Sequence, residues 1–518
     1  MVSNTTIVRA KWIVKGVSQE NVAEIIEDGC IAYNDTGILA VAKFGELLPH
    51  HPGASVVHYQ NHVLMPGFVN GHHHVGVTPF QLGVRDNALE LWWAARIAER
   101  DIDAYLDTLY SAFEMVASGI TTVQHIHGWM TGSPETVYAA SSAILTAYQT
   151  IGMRASYCYA VREQNRLVYE DDSSFCRSLP APLGERLADH LRAQTMSFDE
   201  HMSLYGQLRE DHQKQQLTRI QLAPANLHWM SDKGLMAMVD SAKRDGVPLH
   251  MHLLETAYQR EYARRRTGTT AVAHLESLGA LGPWMTLGHG VWMSDSDMDR
   301  VAHTGTCVCH NCSSNFRLRS GVAPLKGYLK RGVTVGLGLD EAGINDDRDM
   351  LQEMRLVLRV HRGPGMDDED VPNCAEVLKM ATEDGARTTA FGSTIGRLEV
   401  GRQFDAVAIN YDSATYPYQD AAAPVLDAVM HRARTRDVDT VYVGGDAIYS
   451  HGRFKYVDRD QVLAEIAAQL SKPRSAAEIA RLRLSKDVSP FVKRFYDGYL
   501  NRPGGTVTLA GHSRNMMR

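Results

Sequence analysis

Two histidines separated by one residue, His72 and His74, are the first side chains along the chain with the type and spacing of a metal site. Residues two apart in a β-strand point to the same side, so both imidazoles can face one ion while His73 faces the barrel wall. Imidazole binds Zn, Fe or Ni, ions that can activate a water for hydrolysis. Because a histidine pair can equally be two core residues, further ligands are required.

Further groups of suitable type follow later in the chain, each near the end of a strand-like run. His252 is followed three residues later by Glu255, His289 ends the run Leu-Gly-His, and Asp340 ends the run Gly-Leu-Asp. Each has an ordinary alternative, such as a capping carboxylate or a core histidine. Their joint placement at strand ends favours one shared site.

The elements that must position these side chains alternate between apolar, strand-like runs and segments of helical period from about residue 66 to residue 390. The runs are 119–123, 248–252, 285–289 and 333–340, and all but the first end in a residue able to bind metal. This alternation predicts an α/β fold, a (β/α)8 TIM barrel, whose active site lies at the carboxyl ends of the strands.

The two ends of the chain have a different pattern. Short β-prone runs fill residues 6–63 and return at 404–409 and 440–445, so we expect them to form one small β-sandwich. A helical tail follows and ends in a Gly-rich, basic segment. The predicted domains are 1–65 and 396–455 for the two halves of the sandwich, 66–395 for the barrel and 456–518 for the tail. The tail is expected to pack on the barrel or on a second subunit.

The bulk composition excludes several classes of function. The chain has 518 residues and a formal net charge of −7 without a basic stripe, which argues against nucleic-acid binding. It has no secretory leader and no run of roughly 18 apolar residues, so no membrane association and a cytoplasmic location are expected. The cysteines do not form a disulfide framework, and the spacing of Cys307, Cys309 and Cys312 is too tight for the usual zinc pair.

These motifs together resemble the amidohydrolase superfamily, and most closely its branch of methylthioadenosine/S-adenosylhomocysteine deaminases and s-triazine hydrolases. The resemblance covers roughly residues 5 to 455. The motifs that carry it are PGFVNGHHH (66–74), GITT (119–122), HMHLLET (250–256), HN (310–311) with SN (314–315), GVAPL (321–325), DMLQEMR (349–355), MAT (380–382) with GA (385–386), and IGRLEVG (395–401).

The resemblance implies roles for the residues at the strand ends. His72, His74, His252 and Asp340 would hold one divalent ion, with Zn²⁺ favoured and Fe as the alternative, while Glu255 and His289 would orient the water and move protons. Residues 222–227, where binuclear members would place a carboxylated lysine, contain no Lys, which implies a mononuclear site. A bound ion lowers the pKa of its water to about 7, so that hydroxide is available at neutral pH.

The sequence departs from the branch at positions expected near the substrate. Ala225 stands where nucleoside deaminases usually carry a histidine, which resembles the triazine hydrolases and disfavours an adenosine-type substrate. Gln81 replaces an arginine after strand one, so a neutral or weakly charged ligand is favoured. Glu341 replaces the glycine after Asp340, and it could bind a cationic group or point away.

Candidate substrate-binding residues follow the first two barrel strands. His125 and His127 end strand two, where a second metal pair is the alternative to a place in the substrate pocket. Trp92 and Trp129 could stack on a flat heterocycle, or could be ordinary packing residues. With Gln81, these four residues are the predicted substrate contacts.

The predicted function is hydrolytic deamination of a small nitrogen heterocycle by attack of metal-bound hydroxide, with Glu255, His289 and Asp340 as the catalytic groups. Removal of halide or an alkylamine, or cleavage of a urea or carbamate, remains an alternative because pocket shape selects the leaving group. A scaffold protein without activity is the alternative from another class. A homo-oligomer, dimer or tetramer, is also expected from the resemblance.

Overall fold

The structure, a computed structural model, describes residues 5–128, 130, 132–363 and 365–500. The strands in these residues are β1 (Thr6–Val17), β2 (Ala23–Asn34), β3 (Gly37–Lys43), β4 (Ser55–Pro66), β5 (Phe68–His73), β6 (Ile120–His127), β7 (Arg154–Val161), β8 (Thr218–Ile220), β9 (Ala223–Pro224), β10 (Leu249–Leu253), β11 (Met285–His289), β12 (Cys307–His310), β13 (Val335–Leu337), β14 (Ala406–Asn410), β15 (Val438–Val443), β16 (Asp446–Ser450) and β17 (Arg453–Phe454).

The helices are α1 (Phe44–Leu47), α2 (Leu89–Arg96), α3 (Ala104–Ala117), α4 (Pro134–Ile151), α5 (Asp172–Ser178), α6 (Ala181–Ala193), α7 (Phe198–His212), α8 (Asp232–Asp245), α9 (Ala257–Thr267), α10 (Ala271–Ser277), α11 (Asp295–Thr304), α12 (Cys312–Arg317), α13 (Leu325–Lys330), α14 (Met350–Val360), α15 (Cys374–Ala381), α16 (Glu383–Arg387), α17 (Tyr411–Thr415), α18 (Val425–Arg432), α19 (Arg459–Leu470) and α20 (Ala476–Tyr496). Among the described residues, no helix combines the length and apolarity needed to cross a membrane.

The barrel is assembled from two parallel sheets. One sheet has the strand order β5-β6-β7-β8, with β9 paired to β7, and the other has the order β10-β11-β12-β13. Isolated parallel bridges Asn226–His252 and His73–Asp340 join the two sheets at both seams. Because β8 and β9 pair with successive parts of β7, they together form one strand position, and the nine strands close a ring of eight. The predicted TIM-barrel fold is confirmed.

Strands from the two ends of the chain pair with each other directly. They form one eight-stranded sheet of order β17-β16-β15-β14-β4-β1-β2-β3, in which β14 lies antiparallel to β4. Ile7 and Val8 point to opposite faces of β1, and each belongs to a separate apolar cluster. Both faces of the sheet are thus covered by apolar side chains.

The helical tail lies against the barrel. Leu484, Val488 and Val492 on α20 share an apolar cluster with residues of α2, α5 and α6. The Ser485 hydroxyl donates to the Ala94 carbonyl at 2.8 Å, and Arg481 pairs with Asp101 at 2.7 Å. The tail therefore fixes α2, the helix that follows the first metal-site strand.

Threonine side chains cap the two helices that follow β10 in the chain. Thr256 and Thr270 precede α9 and α10, and each hydroxyl accepts a hydrogen bond from the backbone N–H three residues later, at Gln259 and Ala273. These bonds satisfy one of the otherwise unpaired N–H groups at a helix start. The cap of α9 thus holds the start of the helix that follows β10, and the cap of α10 holds the start of the next helix.

A buried ion pair joins the barrel to the end sheet. Arg154 on β7 binds both carboxylate oxygens of Asp405 at 2.7 and 3.1 Å, and the two side chains are 5% and 1% exposed. Asp405→Ala leaves a buried guanidinium without its main partner, so we expect the free energy of unfolding to fall by about 3 kcal/mol. Urea unfolding followed by circular dichroism measures the difference.

The matched control for this prediction is an exposed pair. Asp189 binds Arg192 at 2.8 Å on the surface, with both side chains more than 70% exposed. Asp189→Ala should not change the urea midpoint measurably, because solvent screens such pairs. Equal midpoints for the Asp405 and Asp189 variants would contradict the assignment of a stabilising role to the buried pair.

Candidate metal and hydrolytic site

Four side chains at the ends of three barrel strands, β5, β10 and β13, converge on one point. Nε2 of His74 lies 3.0 Å from Nε2 of His72 and 3.1 Å from Nε2 of His252, and it lies 3.1 Å from Oδ1 of Asp340. All four residues are buried. Three imidazole nitrogens and a carboxylate are donor groups that could hold a zinc ion.

The second nitrogen of each ring is already engaged. Nδ1–H of His74 donates to the Ile126 carbonyl at 2.6 Å, and Nδ1–H of His252 donates to the Ala225 carbonyl at 2.8 Å. Nδ1 of His72 lies 2.8 Å from Nε2 of His250. In His74 and His252, Nε2 is therefore the unprotonated nitrogen, and its lone pair faces the neighbouring ligand atoms. A bound cation would remove the repulsion between these lone pairs. The residues present fit a divalent ion.

Protonation states at the site also fit a cation. Burial and the neighbouring imidazoles hold the pKa values of His72 and His252 well below the ordinary histidine value, so both rings are neutral ligands. Burial opposes ionisation of Asp340, but the His74 imidazole at 3.1 Å, together with His289 and Ser314, lowers the pKa of Asp340 below its usual range. The hydroxyl of Ser314 donates to Oδ2 of Asp340 at 2.6 Å, which orients the carboxylate.

Two further titratable groups stand beside this set. Nε2 of His289 lies 3.7 Å from Oδ2 of Asp340 and 3.7 Å from Oε2 of Glu255. Nδ1 of His289 lies 3.0 Å from the Asn315 amide oxygen, to which it donates as the Nδ1–H tautomer. Burial, together with Asp340 and Glu90, raises the pKa of Glu255 well above the ordinary value for a carboxyl group. A carboxyl whose pKa is raised keeps its proton to higher pH, so that it can act as a general acid.

The backbone at these strand ends takes conformations that most residues avoid. Leu254, His289 and Asp340 have φ values of 51°, 71° and 56°. Such left-handed conformations cost free energy, and they recur where a side chain must be directed toward a site. Gly338 allows the strands to approach closely, because a Cβ there would meet Asn311 and His72 within 2.5 Å.

A cavity of about 420 Å³ reaches the metal-site residues at His74. Its wall also includes Trp93, Arg162, His125 and His127. Among the described residues, nothing hydrogen-bonds to the buried Nε2 atoms of His125 and His127. The structure thus places both of these predicted substrate contacts on the cavity wall, whereas Glu255 and His289 do not line it.

The other predicted substrate contacts are not brought to the cavity. Gln81 is exposed, and its side chain accepts from the Thr78 N–H and donates to Tyr110. Trp92 is buried beneath Arg96, and the next residue, Trp93, lines the cavity instead. Successive residues on a helix point about 100° apart. Of two neighbouring tryptophans on α2, one can therefore face the cavity while the other faces the core. Trp129 lies outside the described residues.

Arg96 is a site residue that sequence analysis missed. Its guanidinium lines the cavity and donates to Oε1 of Glu341 at 2.5 Å, with Glu99 as a second partner. Glu341 therefore pairs with a cation of the protein itself. Its Oε2 atom is buried and has no hydrogen-bond partner in the described part of the chain. Arg96 follows the barrel strand by more than 20 residues, so only the packing of α2 against the site reveals it.

Of Cys307, Cys309 and Cys312, only Cys312 lies in a group of potential metal ligands among the described residues. Cys312 lies with His310 and His361, and Nε2 of His310 is 3.0 Å from Nε2 of His361. One neutral imidazole donating to the other accounts for this contact. All three cysteines are buried thiols, and burial raises the pKa values of Cys307 and Cys309.

Comparison with known proteins agrees with this fold. A 5-methylthioadenosine/S-adenosylhomocysteine deaminase of Thermodesulfovibrio yellowstonii is 26% identical over 469 residues, which cover 89% of this chain and 96% of that protein. A zinc-bound adenosine deaminase from Xanthomonas campestris superposes with a TM-score of 0.74 at 22% identity, covering 93% of this chain and 98% of its own.

A zinc complex of atrazine chlorohydrolase from Arthrobacter aurescens TC1 superposes with a TM-score of 0.73 at 20% identity, covering 89% of this chain and 99% of its own. At these identities the two structures agree with this chain in fold. The sequence model described as the Amidohydrolase family matches residues 63–448, well over half of the chain. The chain belongs to the amidohydrolase family.

Proposed function

We propose that this chain is a zinc-dependent hydrolase that releases ammonia from an amino-substituted nitrogen heterocycle. The observation that carries the proposal is the convergence of three imidazole Nε2 atoms and the Asp340 carboxylate, with Glu255 and His289 beside them. A divalent ion bound there would act as a Lewis acid that lowers the pKa of a water. The family membership and the zinc-bound neighbours support this choice of ion.

The protein side chains divide the proton transfers between them. Asp340 and His289 accept the proton of the attacking water. Glu255, protonated because its pKa is raised, donates to the ring nitrogen next to the attacked carbon. The Glu255 carboxylate then takes the remaining hydroxyl proton of the added water and passes it to the departing amine, which leaves as ammonia, and the first proton returns from Asp340 and His289 to Glu255. This order requires one carboxyl that is ionised, Asp340, and one that is not, Glu255.

The substrate is a flat heterocycle held on the cavity wall. Trp93 offers an aromatic face, and the buried Nε2 atoms of His125 and His127 offer hydrogen-bonding positions. Deaminases of adenosine derivatives among the relatives support the reaction type. Ala225 disfavours an adenosine-type ring, so we place simple aminopyrimidines, pterins and triazines ahead of nucleosides.

A second candidate is hydrolytic loss of another leaving group. The fold shared with an atrazine chlorohydrolase supports loss of halide or an alkylamine from a triazine, because the attack on the ring carbon is the same. We also propose the division into domains 1–65, 66–395, 396–455 and 456–518, a cytoplasmic location, and assembly as a dimer or tetramer.

An ammonia-release screen tests the proposal. The zinc-loaded protein is incubated with cytosine, guanine, pterin, melamine and 5′-methylthioadenosine, and ammonia is measured by a coupled dehydrogenase assay. We expect release from at least one of the first four compounds, at a rate well above that of protein heated to inactivation. Release of chloride from chlorotriazines without ammonia from any amine would favour the second candidate. No release of either product would refute both.

A further inference from the structure

A second buried glutamate, Glu90, lies next to the segment that carries Glu255. Glu90 sits in the first turn of α2 and is 3% exposed. Its Oε1 atom accepts hydrogen bonds from the Thr256 hydroxyl and, at 3.1 Å, from the Tyr169 hydroxyl. Neither the metal ligands nor the cavity wall includes it, and the proton transfers described above do not use it.

Thr256 lies in a segment, residues 254–259, that several contacts hold in place. Thr256 follows Glu255 directly, and its hydroxyl also accepts from the Gln259 N–H as the cap of α9. Glu255 donates its own N–H to the Gln259 side chain at 2.9 Å. Leu254 just before it has a left-handed backbone. Such a conformation persists only when surrounding contacts hold it, and Glu90 supplies one of them from a different helix.

Glu90 is in turn held by the tail. The Tyr169 ring lies 5.4 Å from the ring of Tyr496 near the end of α20, and both rings are buried. Ser485 and Arg481 of the same helix bind at Ala94 and Asp101, on and just after α2. A continuous set of contacts thus runs from the tail through α2 to Thr256.

We propose that Glu90 is a positioning residue for the proton-transferring carboxyl: through Thr256 it holds Glu255 in place, and the C-terminal helix holds Glu90. The proposal rests on the function proposed for Glu255. It assigns the tail a role in catalysis without any contact with the substrate.

The charge of Glu90 also affects the pKa of Glu255, and this effect can be measured separately from that of the hydrogen bond to Thr256. The charged and titratable groups around Glu255 are Asp340 after β13, His289 on β11, Glu90 on α2, and Tyr169 before α5. Burial is the main cause of the raised pKa of Glu255, followed by the charges of Asp340 and Glu90. Burial also raises the pKa of Glu90. Where Glu90 is ionised, removing its charge lowers the pKa of Glu255, whereas removing the Thr256 hydroxyl leaves that charge in place.

Two isosteric variants and a matched control form the test. Glu90→Gln removes the charge, and Thr256→Val removes the hydroxyl. Thr270→Val is the control, because Thr270 also caps a helix, α10, and also donates to a carboxylate, Asp297, at 2.5 Å. The rate probe is the compound of the ammonia screen with the highest kcat/KM, and bound zinc is quantified for every variant.

We expect both site variants to lower kcat on the order of ten-fold, with KM and zinc content nearly unchanged, and the Thr270 variant to retain wild-type kcat. In Glu90→Gln the fall of kcat at high pH should begin about 1 pH unit lower. In Thr256→Val it should begin at the wild-type pH. A general structural defect would not separate the two pH profiles in this way.

Hydrogen exchange provides a readout that needs no substrate. Peptides covering residues 253–260 should exchange faster in Thr256→Val, and to a smaller extent in Glu90→Gln, whose neutral amide oxygen accepts a weaker hydrogen bond from Thr256. In Thr270→Val only peptides near residue 270 should change. Wild-type exchange and wild-type kcat in Glu90→Gln and Thr256→Val would overturn the positioning role. If instead Glu255→Gln stays active, the proposed function fails, and the exchange data still decide whether Glu90 holds the segment.

Discussion

Glu255→Gln is expected to lower kcat by about 1,000-fold while the protein keeps its metal and its fold. The amide has nearly the shape of the carboxyl group but cannot give a proton to the ring nitrogen, and general acid catalysis contributes roughly 100- to 10,000-fold to such reactions. Glu255 is not among the converging ligand atoms, so bound zinc should stay at the wild-type amount. Steady-state ammonia release and metal analysis of the same preparation measure both quantities.

The pH dependence of the wild type follows from the same residue. Glu255 must be protonated to act as an acid, and its pKa in the folded protein is raised well above the ordinary value. Turnover should therefore persist above the ordinary pKa of a glutamate and fall as the pH rises through this raised pKa. An unperturbed glutamate would already lose its activity as an acid near its ordinary pKa of about 4.3.

The control for this variant is a glutamate of similar chemistry away from the site. Glu376 on α15 is largely buried and accepts a hydrogen bond from the N–H of Asn373. Glu376→Gln should keep kcat within a few-fold of the wild type. A Glu255→Gln enzyme with wild-type kcat and an unchanged pH profile would remove Glu255 from the mechanism.

Removal of the metal should have the other large effect. Dialysis against a chelator is expected to abolish ammonia release, and added Zn²⁺ is expected to restore it at about one ion per chain. Because an ion that binds only the folded state stabilises it by mass action, the metal-free protein should also unfold at a lower temperature. Atomic absorption, activity and thermal unfolding of one preparation test the three expectations together.

Three histidine variants are expected to differ in how strongly they bind the metal. His252→Asn removes a ligand and should leave far less than one ion per chain. His250→Asn removes the partner of His72 Nδ1, and we expect metal affinity to fall roughly 10- to 100-fold. His274→Asn changes a histidine that binds Asp232 outside the site and should behave as the wild type. Full activity in metal-free wild type would contradict the assignment of a metal-dependent reaction.

The residues brought together at the site were largely predictable from local sequence. Short apolar runs that end in His252, His289 and Asp340 predict where these side chains lie, because parallel strands in a barrel all end at the same face. His72 and His74 follow from the two-residue period of a strand. The structure brings these residues together as expected and adds the bonds of their Nδ1 atoms, whose backbone acceptors no residue pattern indicates.

The substrate side of the site was less predictable. Trp92 and Trp93 are both plausible from the sequence, and the rotational position of one helix decides that Trp93 lines the cavity. Gln81 was predicted to contact the substrate because it follows the first barrel strand, but its side chain is exposed at the surface. The interpretation of Glu341 as a ligand for a substrate cation also changes, since Arg96 from α2 already pairs with it.

By itself, the sequence determined the family, the barrel and the side chains that meet at the strand ends, because these depend on residue types and on periods of a few residues. Only the tertiary structure decided how α2 and α20 pack on that barrel, and hence the partners of Glu341, Glu255 and Thr256. The physical reason is that a strand end is specified by its own neighbours, whereas contacts such as Glu90 to Thr256 join residues 166 positions apart. Such contacts depend on packing angles that no local pattern records.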